Sequence, residues 1–484
     1  MYQVTEFRGV TYTHSHSFSL KGLTWTTLAI TAVMGVLFFA LGFPPAFDTF
    51  YEKMYFHAIG IGIAALVAYL MLDTFKLEDY EPPLDFPIRY RAFMAVVFGA
   101  IGGLLALSPA VWRDLPQIGM IFFVISFVLI GDVGAAMLVE LFLLPRKRAG
   151  VYNGQSHNPI DYVGRLIPLT KVDRAAYRGA GAGYWLAVVS LGSACVAGLA
   201  GFANLWVRAF GPSIFGGYIT ALGLDKNGFL DATLDPHSHM LALAIMAGIV
   251  AVAVIRFGAL ESESKVRRAV ANVGTWIALV GVILTTLVLG AVAFLNYAPP
   301  TLFTSGPDDV NGMAGDDMIM TIIGLGAIIV VVAVLADRRV WGNGLRLTIL
   351  GTWVAAVIIN VLEGFYIELH QDQFTGTLAA NDASFKVAQP MTGIFLLIVL
   401  SVALLLVEQS DVRGRARSIA TWTGGIGLLA AVVGVTLWTF ADPANSGLAF
   451  AIYLAGSMIA YLAVLVAGVA VRSAQSGSVI PDPA

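Results

Sequence analysis

Long apolar runs recur along this chain, near 23–43, 54–72, 91–110, 117–144, 182–207, 237–257, 270–296, 317–336, 346–369, 390–407, 418–440 and 447–471. Each is about as long as a helix needs to be to cross a bilayer. Hydrocarbon offers backbone amides no partner, so such runs cross it with their hydrogen bonds closed internally, as helices. The fold class expected is therefore all-α, a polytopic membrane protein of about twelve transmembrane helices. Only 12% of residues are charged against 58% hydrophobic, with a mean hydropathy of +0.81, a balance that excludes an ordinary soluble domain.

Lys and Arg set the orientation. One set of connections holds Lys76, Arg89 and Arg91, then Arg146 to Arg148 with Arg165 and Lys171, then Arg256, Lys265 and Arg267, then Arg338 and Arg339, then Arg413 to Arg417. The alternate set holds only Lys53, Arg113, Arg208, Lys226 and Lys386. The bias alternates without a break and predicts both termini on the cytoplasmic side of a prokaryotic cytoplasmic membrane. Residues 1–484 then form a single integral membrane domain, with 1–22 a cytoplasmic N-terminal segment and 473–484 a flexible tail. A single cysteine, Cys195, excludes a disulfide framework and any paired-cysteine metal site.

The chain has seven histidines, and four fall at the outer ends of spans: His57 at span 2, His237 and His239 at span 6, His370 after span 9. An ionisable group inside a membrane is costly and points to function by default. Met391 joins the four from the start of span 10. Imidazole and thioether are the side chains that hold haem iron in electron-transfer cytochromes. Spans 2, 6 and 10 lie four apart, and each opens on a short polar or ligand group: Tyr55-Phe-His57, His237-Ser-His239 and Gln389-Pro-Met391. That spacing predicts pseudo-threefold repeats of four helices.

His237 and His239 stand two apart, about 200° around a regular helix, so they cannot converge on one ion from it. Three readings stay open for them: a second haem ligated together with His370, a metal ion held with Asp235, or hydrogen bonding to Asp231 and Asp235. Asp132 in span 4 and Glu363 in span 9 are candidate proton-path carboxylates, or coupling groups. His14, His16 and His157 read as solvated.

With those residues in view, the chain resembles subunit I of the haem–copper oxidase superfamily. The family's tenth span opens on a pattern of the type Asp-Thr-Tyr-Phe-Val-Val-Ala-His-x-His. This chain has Asp382-Ala-Ser-Phe385-Lys-Val387-Ala388-Gln389-Pro-Met391 in the same register. The family's Met-Thr-x-His-Ala motif of the second span is echoed by Lys53-Met-Tyr-Phe-His57-Ala58. The resemblance implies a low-spin b-type haem between His57 and Met391. The departures are as specific. Gln389 replaces the histidine that ligates the reactive haem, and the histidine pair of the family's copper site has no counterpart between 258 and 316. Only His237 or His239 echoes that site, so a second haem or copper remains an open expectation.

The function expected is a haem b-binding electron-transfer subunit of a respiratory complex that lacks the usual binuclear-centre ligands. Its partners would be other subunits of that complex and an outer-surface carrier (a cytochrome, a copper protein or a Rieske protein), with lipid around it and no nucleic acid. Two alternatives stand beside it: a divergent terminal oxidase or nitric oxide reductase, and a twelve-span secondary transporter.

Overall fold

The computed structural model describes residues 2–7, 10–15, 20–41, 50–77, 82–107, 116–149, 175, 177–178, 180–296, 313–363, 366, 392, 395–410, 412–440 and 446–476. Every apolar run coincides, over its described residues, with a helix. In chain order these are α1 (Leu20–Ala40), α2 (Phe50–Phe75), α3 (Pro82–Ala106), α4 (Pro116–Arg148), α5 (Gly181–Phe210) and α6 (Lys226–Arg256). They continue as α7 (Lys265–Leu295), α8 (Met313–Leu335), α9 (Gly344–Val357), α10 (Leu397–Gln409), α11 (Gly414–Phe440) and α12 (Ser446–Ser476). Ten are long and apolar enough to cross a membrane, and the other two, within α8 and α10, are shorter apolar helices among the described residues. The chain is an integral membrane protein.

An antiparallel hairpin, β1 (Tyr2–Phe7) with β2 (Val10–Ser15), precedes the helices and sets Val4 opposite Thr13 and Gln3 opposite His14. A cytoplasmic N-terminal segment with solvated histidines is what the sequence leads one to expect here. Its β-branched and aromatic residues flank Arg8-Gly9, a pattern that suits a strand pair.

α2, α6 and α10 touch one another pairwise, although each is four helices from the next in the chain. Of the ten candidate spans, α2 and α6 are the most buried, and every residue of α10 from Leu397 to Val407 is buried. The remaining helices pack around this trio, with α12 against α1. Ion pairs tie together helix ends beside the basic connections, Arg89 with Asp73 and Arg346 with Glu408, while Lys147 pairs with Glu140 along α4 itself. Arg256 at the end of α6 donates to Thr74 Oγ1 at the end of α2 at 3.2 Å, so these ends share one face of the bundle.

α6 is longer than its apolar run. Residues 208–236 lie between two apolar runs, yet the helix begins at Lys226 and runs through Pro236, after a short helix at Gly216–Ala221. Proline removes one helical N–H and ordinarily disrupts a helix interior. Here two contacts favour the extension. Asp225 caps it, accepting from Gly228 N at 2.7 Å. Asn204 of α5 donates to Leu230 O at 2.7 Å and to Thr233 Oγ1 at 2.9 Å.

On the face that carries the basic connections, Asp337 accepts from the backbone N–H of Arg339 at 3.0 Å and from Arg267 Nη1 at 2.7 Å. The Arg339 N–H first, with Arg267 nearby, holds its carboxyl below the usual carboxylate value. A depressed pKa stabilises the fold above the unfolded-state value, and that stability is lost as pH falls through the folded-state value. Asp337→Asn, which keeps the cap but loses the ion pair, is therefore expected to cost up to about 1 kcal/mol at pH 7, the range for an exposed pair. Thermal melts in detergent should show the difference steady from pH 8 to 5 and shrinking in stronger acid. A constant gap across the whole range would contradict it.

Candidate functional site

His57 of α2 and His237 of α6 face each other within the bundle. Their ring centroids are 6.3 Å apart and their planes lie within 2° of parallel. Phe127 of α4 stands edge-on to His57 at 5.9 Å. His237 is 7% exposed, and its Nδ1 lies 2.8 Å from the carbonyl oxygen of Ala197 on α5. A carbonyl only accepts, so Nδ1 carries the proton and the neutral ring keeps its lone pair on Nε2. A hydrogen bond that fixes the tautomer and orientation of an imidazole in this way is the usual outer-shell support of a metal-ligating histidine.

α5 is shaped to receive that ring. A Cβ built on Gly201 would stand 2.3 Å from the His237 ring, so the imidazole lies directly against the backbone. Gly198, one turn back, and Gly131 on α4, one turn beyond Phe127, face open space: a Cβ at either meets nothing within 4 Å. Among the described residues no group of three or more His, Cys, Asp or Glu gathers to hold an ion.

His239 serves the other side of α6. It lines a cavity of about 50 Å³ with Thr352, Trp353 and Asn360 of α9 and its continuation, Ser401 of α10, and aliphatic side chains from α6 and α8. Trp353 Nε1 donates to Ser401 Oγ at 3.0 Å across that wall. The cavity holds roughly three to five waters by volume. α9 leaves regular helix beside it in a π-helical turn, Ile358–Glu363, of the kind often found at functional sites.

The two carboxylates part company. Glu363 is buried in that turn and accepts from Thr436 Oγ1 of α11 at 2.6 Å, while its Oε2 has no hydrogen-bond partner among the described residues. Asp132, read from the sequence as an interior group, is instead at the surface of α4 with its side chain 51% exposed, and accepts from Arg91 of α3 at 2.5 Å. α4 is apolar on every side, so its sequence gave no sign of which face turns inward. Met391, His370, Gln389, His16 and His157 lie outside the described residues, as do the side chains of Asp235 and His14. Ala197, Gly201 and Phe127 escaped sequence reasoning. A glycine within an apolar helix was the only signal among them.

The chain matches no family model, no curated protein and no solved structure.

Proposed function

We propose that the chain is a haem-binding electron-transfer subunit of a membrane respiratory complex, built on the twelve-span, three-repeat plan of haem–copper oxidase subunit I, with both termini cytoplasmic. The observation that carries this reading is the pair of parallel imidazoles, one oriented by a backbone carbonyl, presented to each other from helices that do not adjoin in sequence. The mutual contact of α2, α6 and α10 supports the repeat plan. Two imidazoles would be the residues to hold a b-type haem, the ligand type such cytochromes use. When bound, such a group takes up and gives back one electron. The protein's part is to hold the iron away from water and to orient the His237 ring through Ala197. The electron carriers served would be outer-surface cytochromes, copper proteins or Rieske proteins.

One observation favours a second reading, a secondary transporter: the buried Glu363 in an interrupted helix beside a small cavity, an arrangement transporters use near mid-membrane. Haem analysis separates the two. Protein purified in mild detergent is expected to carry stoichiometric haem, with a Soret band and a b-type α band on reduction, and His57→Ala to lose them. It should consume neither oxygen nor nitric oxide. A colourless, iron-free preparation would sink the cytochrome and leave the transporter; sustained gas reduction would favour a divergent oxidase or nitric oxide reductase.

A further inference from the structure

We propose that the exposed face of α4, beside the Arg91–Asp132 pair, is the contact through which two copies of this chain form a twofold dimer in the membrane.

α4 is the least covered of the ten candidate spans, with 22% of its apolar stretch buried. Its outward residues fall on one line. Ile118, Ile121, Ile125 and Val128 are between 37% and 55% exposed, and the line continues through Asp132 to the exposed Ala135. Alternating steps of three and four residues make the seam on which two parallel helices interdigitate. An apolar seam alone would suit lipid as well as a second helix.

The charged pair does not suit lipid. The side chains of Arg91 and Asp132 are 47% and 51% exposed, and both residues lie inside their spans, Pro87–Ala106 and Ile118–Arg148. Charged residues in spanning segments almost always face protein or water. Asp132 stands about 21 Å along α4 from Ile118 and about 24 Å from Arg148. Its single methylene is too short to carry a carboxylate to either interface, so a protein surface must cover it.

Charge selects which surface. Arg91 and Asp132 are neutral together, so this face offers an anionic headgroup no net attraction and an uncharged helix no counterpart. A second copy, turned about an axis along the membrane normal, brings the same pair in opposite order. Each Arg91 then stands beside the Asp132 of the other copy as well as its own, four charges in alternation. Such self-complementarity is the mark of an isologous contact. The backbone permits the approach: a Cβ on Gly131 meets nothing within 4 Å, and the exposed Ala135 lies one turn on. Small residues at this spacing let membrane helices come close. A polar group at one seam position fixes register, and Asp132 holds that place here.

The test uses full-length protein in mild detergent and in phosphatidylcholine vesicles with and without phosphatidylglycerol. Unaltered protein is expected to be a dimer by light scattering. Gly131→Leu enters open space within one copy, so it should keep its helix content by circular dichroism and become monomeric. Asp132→Arg sets four like charges together and should weaken the dimer about 100-fold or more. Adding Arg91→Asp to that variant should restore the dimer, which separates lost pairing from misfolding. In Cys195→Ser protein, Val128→Cys should cross-link between copies in vesicles under air with copper phenanthroline. Val280→Cys, on the exposed face of α7, should not. A protein that is monomeric throughout, a dimer that Gly131→Leu leaves intact, or equal cross-linking from positions 128 and 280 overturns the proposal. So does an unaltered monomer holding phosphatidylglycerol that Arg91→Leu releases, which would give this face to a lipid headgroup.

Discussion

On the haem-binding reading proposed above, Gly201→Ala is expected to cut haem content tenfold or more while the helices still insert and fold. The added methyl would sit 2.3 Å from the His237 ring, well inside any allowed contact. The ring is the end of a side chain, so it can swing away at a cost of about 1–3 kcal/mol for an overpacked site. Moving breaks the 2.8 Å bond to Ala197 and spoils the parallel arrangement with His57. Loss of the groups that orient a metal-binding histidine typically costs about 10–100-fold in metal affinity. The ratio of Soret to protein absorbance measures this directly, and circular dichroism reports whether the helices survive. Gly198→Ala is the control, since a Cβ there meets nothing within 4 Å, and it should keep its haem. Equal haem in both variants would mean that His237 takes no part in the haem site proposed.

That contrast also shows where the sequence stops being informative. The histidines stood out because imidazoles are rare and costly inside a membrane. The opposite directions of His237 and His239 followed from helical geometry alone, and the structure sends them to α5 and to the α8–α10 cavity respectively. Which histidine meets which was not legible, because a linear chain carries no distance between helices four apart. His57 and His237 meet only because α2 and α6 pack side by side at the centre.

Asp132 illustrates a different limit. In water a helix announces its inner face by an apolar stripe. In lipid the outer face is apolar too, so α4 carried no such stripe. The carboxylate resolves to the surface beside Arg91, and any role it has is played at that flank. Pro236 misled in the opposite sense. It stands just before the apolar run that starts at 237, but Asp225 and Asn204 act from outside that run to carry α6 through it, and that extension places His237 within regular helix.

Gly456→Val is expected to destabilise the protein by roughly 3–5 kcal/mol, at the upper end for a single substitution. With no water to expel between them, membrane helices adhere through close packing, and small residues let their backbones approach. The α11–α12 contact takes this to its limit at three points. A Cβ on Gly456 would stand 2.3 Å from Ala431 N, one on Gly434 2.4 Å from Tyr453 N, and one on Gly427 2.5 Å from Ala460 N. In each case the obstacle is main chain, which cannot turn aside as the His237 ring can, so the whole helix must shift. The shift would also loosen the aromatic packing of Trp438, Phe450 and Tyr453, and of Tyr453 against Phe39 of α1. Gly425→Ala on α11, where the nearest atom to a Cβ is Thr348 Oγ1 at 3.7 Å, should be nearly neutral. Thermal denaturation followed by size-exclusion chromatography measures the difference. A Gly456→Val protein as stable as the Gly425→Ala control would mean that α11 and α12 do not meet backbone to backbone.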